Sequence, residues 1–420
     1  MNNIINKTPP AARIDMPGGA ALIIGKLRAA GHEAYIVGGC VRDCLMGKTP
    51  SDWDITTSAA PLAVKALFKR TVDTGLRHGT VTVLMGRAGF EVTTFRVDGA
   101  YSDNRRPDSV AFTGDLREDL LRRDFTVNAM AYCDETGVVD PFNGQGDLAA
   151  GVIRGVGCPD ARFKEDALRM LRAIRFSAQL GFEIEAETWR ALKQNAPLIA
   201  NISVERVRDE LLKLLLGDHT GKYAQINDSG VLRYVDAGLC GLFAANLGGA
   251  LPVLPACPKD TDLRLALLLR GSPAKETGRL LKFLRLDNKS VKNISVVAGR
   301  LPLPLPDTAY GMRKLLGAVG EGAANRVILL KRILAASARD ADAIKSCERA
   351  EALLRGISEA GDCYNLAGLE INGEELKALG IKEGREIGRV LNALLDAVMQ
   401  DPANNDAATL RKLAAAMTVQ

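Results

Sequence analysis

The chain has 420 residues, of which 47% are hydrophobic and 25% are charged. These fractions are close to those of ordinary globular proteins and exclude wholesale disorder, and at roughly 150 residues per domain the length predicts two to four domains. The formal net charge of +5 is compatible with a polyanionic partner but is not evidence for one. Only 5% of the residues are aromatic, so we do not expect nucleic acid to be bound mainly by base stacking.

Eight cysteines are scattered along the chain without a C-x-x-C pair. This pattern predicts reduced thiols in a cytoplasmic protein rather than disulfides or a zinc site. One uncharged stretch, residues 237–258, is long enough to suggest a membrane span. Because several glycines and prolines interrupt it, we expect a short buried helix followed by a loop, and no membrane association.

The first 145 residues or so mix strand-like and helix-like segments. Runs rich in β-branched residues at 34–37, 81–85 and 91–97 alternate with helical stretches such as 61–70, which favours an α/β or α+β domain. From about Asp160 onward, Leu/Ala/Arg-rich segments with helical periodicity follow one another. They cover 162–179, 204–216, 261–284 and 311–335, and proline-containing breaks are expected at 301–307 and 401–405.

A glycine-rich turn follows the first strand-like run. Gly38 and Gly39 precede a helical stretch from Val41 to Met46 that carries Arg42. Two glycines at a strand-to-helix turn let backbone N–H groups approach an anion, and Arg42 adds a positive charge. The alternative is a plain glycine turn. The nearby sequence GKT resembles the end of a Walker A loop, but Arg42 stands where that motif requires glycine.

Two carboxylates flank a tryptophan about a dozen residues later. If residues 52–54 form a strand, Asp52 and Asp54 share one face and Trp53 points to the other. Two neighbouring carboxylates repel each other unless a cation lies between them, and Mg²⁺ with phosphate oxygens suits such a pair. The sequence therefore predicts that Asp52 and Asp54 are catalytic metal ligands.

Glu91 is the candidate for a third carboxylate at this site. It opens a strand-like run that follows 78–86 in the manner of a hairpin. The alternative is an exposed glutamate at a strand end without a role in metal binding.

Two further polar segments complete the N-terminal part. Residues 98–110 are turn-rich and contain Arg105 and Arg106, which predicts a mobile loop near the site. In 121–132, two arginines, Arg122 and Arg123, could neutralise a triphosphate, and Asp124 could accept a hydrogen bond from a ribose hydroxyl. The turn at 140–148 resembles a hinge.

The last candidate element is the predicted helix at 162–182. Asp166, Arg169, Arg172 and Arg175 wind around the side opposite its apolar residues, and Asp166 and Arg169 are neighbours at i, i+3. Cytosine and adenine each present an amine donor beside a ring-nitrogen acceptor, which a carboxylate and a guanidinium can match. Uracil and guanine present the reverse order and would leave buried groups unpaired. The alternative is a solvated charged face with a routine ion pair.

Together these motifs resemble the class II tRNA nucleotidyltransferases, the CCA-adding enzymes, and their poly(A) polymerase relatives. The similar stretches are GGCVRD, SDWDITT, HGTVTV with EVTTFR, YSDNRRPD, LRRDFTVNAM, DPFNGQGDL and EDALRMLRAIRF, all within residues 35–182. The remainder is similar only through 202–215 and 379–395. The resemblance implies an α+β fold with a head of the polymerase-beta type, followed by a mostly helical neck, body and tail, which we place at 1–147, 148–216, 217–306 and 307–420.

The resemblance also implies roles for individual residues. Asp52 and Asp54 match metal-binding carboxylates. The residues that match nucleotide contacts are Gly39, Arg42, Arg123, Asp166, Arg169, Arg172 and Arg175. The implied activity is addition of C, C and A to the 3′ end of tRNA from CTP and ATP with Mg²⁺, and the alternatives are a poly(A) polymerase or an A-adding or CC-adding enzyme. The loop at 101–107 argues against a CC-adding enzyme, because those relatives typically lack it.

Overall fold

The structure is a computed structural model that describes residues 13–99, 101, 104, 109–382 and 384–418. The chain divides into two compact units, one that ends at Gly241 and one that begins at Leu242. The finer division into head, neck, body and tail therefore stays a prediction.

Eleven strands lie in the described part of the chain, all in the first unit. They are β1 (Ala34–Val37), β2 (Ile55–Thr57), β3 (Thr71–Gly75), β4 (Thr80–Met85), β5 (Ala88–Thr94), β6 (Arg96–Asp98), β7 (Val110–Phe112), β8 (Ala131–Cys133), β9 (Gly137–Val139), β10 (Val152–Ile153) and β11 (Glu183–Ile184). Seven of them form one sheet in the order β3-β4-β5-β2-β1-β8-β9, while β6 pairs with β7 and β10 with β11. This small mixed sheet, followed by helices, confirms the predicted α+β class.

The sheet is antiparallel apart from one central pair. Strand β2 runs parallel to β5, with Ile55 opposite Val92, and antiparallel to β1, with Ile55 opposite Ile36. These three side chains are fully buried, and the strands around them are rich in β-branched residues that suit a covered sheet face. The buried sheet fixes the position of the residues that immediately precede β2, which include Asp52 and Asp54.

Twenty α-helices complete the described structure. They are α1 (Gly18–Ala29), α2 (Gly39–Leu45), α3 (Pro61–Leu67), α4 (Leu116–Leu121), α5 (Gly144–Ala150), α6 (Pro159–Glu165), α7 (Leu168–Leu180), α8 (Ala186–Asn195), α9 (Val204–Leu215), α10 (Ala224–Asp228), α11 (Ala237–Ala250), α12 (Thr261–Leu268), α13 (Ala274–Phe283), α14 (Asn288–Arg300), α15 (Ala309–Val319), α16 (Glu321–Ala338), α17 (Ala341–Ala360), α18 (Gly373–Ala378), α19 (Arg385–Gln400) and α20 (Ala407–Thr418).

Three of the long predicted helices are each two helices in the structure. The segment 162–179 breaks between α6 and α7, 261–284 breaks between α12 and α13, and 311–335 breaks between α15 and α16. The last break lies at Gly320, whose φ of 80° is typical of glycine. The second contains Pro273, which directly precedes α13 and lacks the N–H that a continuous helix would need. The apolar residues keep the helical periodicity on both sides of each break, so periodicity alone predicted one continuous helix.

The described residues from Met312 to Ala414 contribute to two apolar clusters. One is built by α15, α16 and α17, and the other by segments from Ile371 to Ala414. Arg313 of α15 connects them, because its Nε donates to Asp362 Oδ2 at 2.7 Å and its Nη1 to the carbonyl of Met399 at 2.7 Å. Since Arg313 is 8% exposed, its ion pair with Asp362 lies in the interior, and its bond to the Met399 carbonyl holds α19 against α15.

The expected free thiols and proline-containing breaks are confirmed, whereas the helix expected to be buried in 237–258 is half exposed. The uncharged stretch 237–258 forms α11 and then a short 3₁₀ turn, and in the described residues we find no helix long and apolar enough to span a membrane. The eight cysteines all fall within the described residues and are free thiols. The proline-containing breaks lie between α14 and α15 and between α19 and α20.

Candidate active site

The paired carboxylates Asp52 and Asp54 lie in an extended segment just before β2, and not in a strand as predicted. The backbone N–H of Val37 still donates to the Asp54 carbonyl at 3.0 Å, so the segment follows the edge of β1. Both carboxylates are exposed, while Trp53 between them is partly buried against the sheet core. The predicted alternation is thus correct, because the two acidic side chains share the solvent side.

Asp54 has a partly desolvated carboxylate that is influenced by one positive and one negative neighbour. The pKa of Asp54 is raised because surrounding protein displaces water from the group, although its surface stays accessible, while the positive charge of Arg123 opposes the rise and Asp52 adds to it. Arg123 and Asp52 thus both act electrostatically on Asp54. A like-charged pair of this kind is stabilised by a cation.

Glu91 lies in the middle of β5 and is exposed. The parallel register sets Ile55 opposite Val92, so extending it by one residue places Glu91 beside Asp54 on the same face. Within the described ranges, however, no three His, Cys, Asp or Glu side chains come close enough to hold a metal ion together. The catalytic role of Glu91 therefore stays a prediction.

The glycine turn is shaped by two arginines. Gly38 has a φ of 85°, and a Cβ on it would lie 2.8 Å from Arg123 Nη1, so only glycine fits there. Gly39 begins α2, and a Cβ on it would lie 3.6 Å from Arg42 Nη2. Arg42 is 8% exposed and donates from Nη1 to Asn128 Oδ1 at 2.6 Å. The structure thus brings the two predicted nucleotide-contacting arginines to the same turn.

Asp124 has a different environment from the one expected. Its carboxylate accepts from Arg172 at 2.6 and 2.8 Å, from Asn128 Nδ2 at 3.1 Å and from the N–H of Phe125 at 2.8 Å. With 8% of its surface exposed, its carboxylate is engaged by these protein donors, and the ribose contact stays a prediction. Burial by itself would raise the pKa of Asp124, but Arg172 and the hydrogen bonds lower it to about 2.

The Asp124–Arg172 pair predicts a pH-dependent contribution to stability. Because the pKa of Asp124 is lower in the folded chain than in the unfolded one, its contribution is complete above about pH 4 and is lost as the pH falls through about 2. We expect Asp124→Asn to lower the free energy of unfolding at pH 7 by about 2 kcal/mol. Denaturant titrations from pH 7 to pH 3 should show the difference from wild type shrinking. The control is Asp73→Asn, because Asp73 is exposed and paired with Lys65, and its free energy of unfolding should fall by at most about 1 kcal/mol. A loss of stability in Asp124→Asn that does not change with pH would contradict the assignment.

Asp166 does not lie on the same helix as Arg169. It is the C-cap residue that follows α6, and α7 begins two residues later at Leu168. Its two carboxylate oxygens accept from Arg206 of α9 at 3.3 and 2.8 Å, and one of them also accepts from the N–H of Leu168 at 3.1 Å. The expected i, i+3 pair is therefore replaced by a pair with a distant arginine, which fixes the orientation of the carboxylate.

Arg169 is held by a different set of acceptors. Its Nη1 donates to Glu165 Oε2 at 2.6 Å and to the carbonyl of Arg162 at 3.1 Å, and its Nη2 donates to the carbonyl of Arg122 at 2.8 Å. Its exposed fraction is 8%. The solvated-face alternative is thus wrong for Arg169. Its hydrogen bond to the carbonyl of Arg122 joins it to the residue that precedes Arg123.

Arg172 and Arg175 are paired with protein carboxylates. Arg172 contacts Asp124, and Arg175 Nε donates to Glu210 Oε2 at 2.5 Å. Both guanidinium groups also lie over the ring of Phe176, at 5.3 and 3.9 Å from its centroid, as does that of Arg42 at 5.2 Å. These contacts hold α7 against the glycine turn, and a direct contact of Arg172 or Arg175 with nucleotide stays a prediction.

The polar loop at 98–110 is described only in part. Arg105 and Arg106 lie outside the described residues. Asn104 accepts at its carbonyl from the N–H of Ala167 at 3.0 Å and donates from Nδ2 to the carbonyl of Lys164 at 2.5 Å. One residue of the loop thus contacts the chain on either side of Asp166.

Sequence reasoning missed the partners that orient the predicted residues. Asp119, Asn128, Glu165, Arg206 and Glu210 each bond to a predicted site residue or its neighbour. Arg206 and Glu210 lie in the stretch 202–215, whose sequence is only loosely similar to the family. Arg206 and Glu210 stand at i, i+4 and so share one face of α9, and this spacing was the available signal.

Two family models match parts of the chain. A family model described as "Poly A polymerase head domain" matches residues 34–154, and one described as "Probable RNA and SrmB- binding site of polymerase A" matches residues 181–236. The CCA-adding enzyme of Limosilactobacillus fermentum is 37% identical over 406 residues, which cover 93% of this chain and 95% of that protein. The one from Lactiplantibacillus plantarum is 56% identical over 197 residues, and the chain spans 48% of its length.

A solved structure is similar over almost the whole chain. The crystal structure of the Bacillus stearothermophilus CCA-adding enzyme in complex with CTP has a TM-score of 0.77 and 31% sequence identity. The match covers 96% of this chain and 98% of that one.

Proposed function

The chain belongs to the family of CCA-adding enzymes, and we propose that it adds C, C and A to the 3′ end of tRNA from CTP and ATP, with release of pyrophosphate. One observation carries the proposal. Arg169 bonds to the carbonyl of Arg122, and the next residue, Arg123, acts electrostatically on Asp54. Arg169, one of the two residues proposed to read the base, is thus linked through Arg122 and Arg123 to Asp54, which supports the proposal.

The donor set at Asp52 and Asp54 fits a hard divalent cation, for which we propose Mg²⁺. In the described part of the structure, no side-chain hydrogen-bond donor reaches the Asp54 carboxylate, and Asp52 accepts only from the adjacent Ser51 hydroxyl at 3.0 Å. Oxygen ligands with free lone pairs are what Mg²⁺ takes, usually together with substrate phosphates. When bound, such a cation lowers the pKa of an attacking hydroxyl and neutralises charge on phosphate oxygens.

The protein groups around these carboxylates have separable tasks. The tRNA 3′-hydroxyl attacks the α-phosphorus of the nucleotide, and the bond to the β-phosphate oxygen breaks to release pyrophosphate. Arg42 and Arg123 at the glycine turn are placed to contact the triphosphate and hold it in line with the attacking hydroxyl. The carboxylate of Asp166 accepts from the base amine, and the guanidinium of Arg169 donates to the ring nitrogen.

An assay on tRNA that lacks CCA tests this function and separates it from its alternatives. With CTP alone we expect two additions, with ATP alone none, and with both a complete CCA end. Addition of a single A only to tRNA that already ends in CC would identify an A-adding enzyme, two C without A would identify a CC-adding enzyme, and long A tails would identify a poly(A) polymerase. Any of these three outcomes would overturn the proposal.

The segment 379–395 is proposed to contact tRNA phosphates. Lys382, Arg385 and Arg389 are exposed there, and a Cβ on Gly380 or Gly384 would meet no atom within 4 Å. A basic surface with open backbone suits a phosphate chain. The alternative is an ordinary helical hairpin without an RNA contact.

We expect Arg385→Ala combined with Arg389→Ala to weaken tRNA binding and to leave the KM for CTP unchanged. The slope of log Kd against log salt should fall by about one for each bond to phosphate that the substitutions remove. Filter binding at several salt concentrations measures both quantities. Arg279→Ala, which removes an exposed arginine paired with Glu276, is the matched control; equal effects in the control and the double variant would contradict a specific contact.

A further inference from the structure

A fully buried carboxylate lies behind the arginines of the candidate site. Asp119 of α4 has no exposed surface, and Arg122 donates to its Oδ1 from Nε at 2.9 Å and from Nη2 at 2.8 Å. Arg123 Nη2 lies 3.8 Å from its Oδ2. The backbone N–H of Arg96 also approaches Oδ1, at 3.4 Å. Two guanidinium groups and one backbone N–H thus converge on one interior carboxylate.

Without this carboxylate the arginines would repel one another. Burial lowers the pKa of Arg123, the charge of Arg122 lowers it further, and Asp119 opposes both effects. For Arg96 the main opposing charge is Asp98, which lies 3.2 Å from its Nε, and Asp119 adds a smaller influence. Asp119 is therefore the counter-charge that lets the guanidinium groups of Arg122 and Arg123 stay close together in a desolvated place.

The same carboxylate is connected to β2, the strand that directly follows the catalytic pair. Thr56 of β2, two residues after Asp54, donates from its hydroxyl to Asp119 Oδ2 at 3.0 Å. Thr56 is fully buried, and so is the strand around it. This bond sets the distance between the strand that follows Asp54 and the arginine that faces Asp54.

We propose that Asp119 is a positioning residue for nucleotidyl transfer, which holds Arg122 and Arg123 against the nucleotide triphosphate in register with Asp52 and Asp54. The inference rests on the proposed function. It assigns to Asp119 no contact with substrate and no part in metal binding. Its effect should appear in nucleotide binding and not in tRNA binding.

Two variants test the role at different strengths. Asp119→Asn keeps the shape but removes the charge, and we expect the KM for CTP and for ATP to rise about tenfold or more, as when a charged hydrogen bond is removed. Thr56→Val keeps the β-branched shape and removes only the hydroxyl, so a smaller rise of about threefold to tenfold is expected. Inhibition by added pyrophosphate should weaken by similar factors. The KM for tRNA should stay that of wild type in both variants.

The chain offers a matched control pair with the same chemistry. Asp147 is 5% exposed, accepts from the Thr126 hydroxyl at 2.6 Å and pairs with Arg154 at 3.1 Å. Asp147→Asn and Thr126→Val should lower the melting temperature as the test variants do, without changing the nucleotide KM. A merely structural role for Asp119 would give both pairs the same kinetic pattern, a loss of active protein at unchanged KM, and would overturn the proposal.

The outcomes also separate this inference from the proposed function. If wild type fails to extend CCA-less tRNA with CTP and ATP, the proposed function fails. If wild type extends it and both Asp119→Asn and Thr56→Val keep the wild-type nucleotide KM, only the positioning role fails. Should Asp119→Asn not fold, Thr56→Val alone decides, and an unchanged nucleotide KM in that folded variant overturns the role.

Discussion

Asp52→Ala and Asp54→Ala are each expected to lower kcat for nucleotide addition by about a thousandfold or more, the size of several kcal/mol of metal-assisted catalysis. Both carboxylates are exposed, lie immediately before the buried strand β2 and face the same side. Their removal leaves the triphosphate and the 3′-hydroxyl without the charge that organises them. The affinity for tRNA should remain nearly that of wild type, because we expect it to depend mostly on contacts with the tRNA phosphate backbone away from these two carboxylates.

Single-turnover extension of CCA-less tRNA in Mg²⁺ measures the loss, and filter binding measures tRNA affinity. Asp73→Ala is the control, since Asp73 is a half-exposed carboxylate in an ion pair with Lys65 on the same unit. It should extend tRNA at the wild-type rate. Near-normal turnover by either Asp52→Ala or Asp54→Ala would refute their assignment as metal ligands.

Asp166→Ala and Arg169→Ala are expected to change which nucleotides are added. Each good side-chain–base contact should discriminate by roughly 1–3 kcal/mol, or about five- to 150-fold. Both variants should therefore incorporate more UTP and GTP relative to CTP and ATP, and add correct nucleotides more slowly. Ion pairs orient both side chains, Asp166 through Arg206 and Arg169 through Glu165. The carboxylate acceptor and the guanidinium donor are therefore already oriented when the base binds. Because the two residues have different partners, the two substitutions remove different contacts within the protein. A change of nucleotide preference in both variants would therefore come from the lost contacts with the base.

Steady-state kcat/KM for all four nucleotides on the same tRNA tests this template. Glu187→Ala is the matched control, because Glu187 and Arg190 form an exposed i, i+3 pair on α8. It should cost at most about 1 kcal/mol of stability and keep the nucleotide preference. If Asp166→Ala and Arg169→Ala also keep that preference, the segment from 165 to 175 has only a structural role.

Local sequence signals predicted the elements that surround the candidate site. The run at 34–37 coincides with β1, and the first glycine after it, Gly38, stands where φ is positive and where Arg123 approaches. Alternation placed Trp53 inward and its neighbours outward, although the segment is not a strand. Such features depend on residues close in sequence, so a pattern of a few positions is enough to predict them.

The partners of the charged side chains could not be predicted in this way. Arg172 bonds to Asp124 across 48 positions and Arg206 bonds to Asp166 across 40. Periodicity treats a charged residue as solvated and pairs it with neighbours on its own helix. The break after Glu165 removes Asp166 from that helix, and burial then requires each charge to find a partner elsewhere in the fold.

Sequencing the 3′ ends of tRNA made with all four nucleotides present tests the central claim most directly. The substrate is a tRNA that ends before CCA, incubated with purified full-length chain and Mg²⁺, with the Asp54→Ala variant as the control. The account predicts that nearly all extended ends read CCA and stop there, with U and G rare, and that the variant gives no extension. Ends that carry only A, that stop at CC, that continue into an A tail, or that contain the four nucleotides indiscriminately would contradict it.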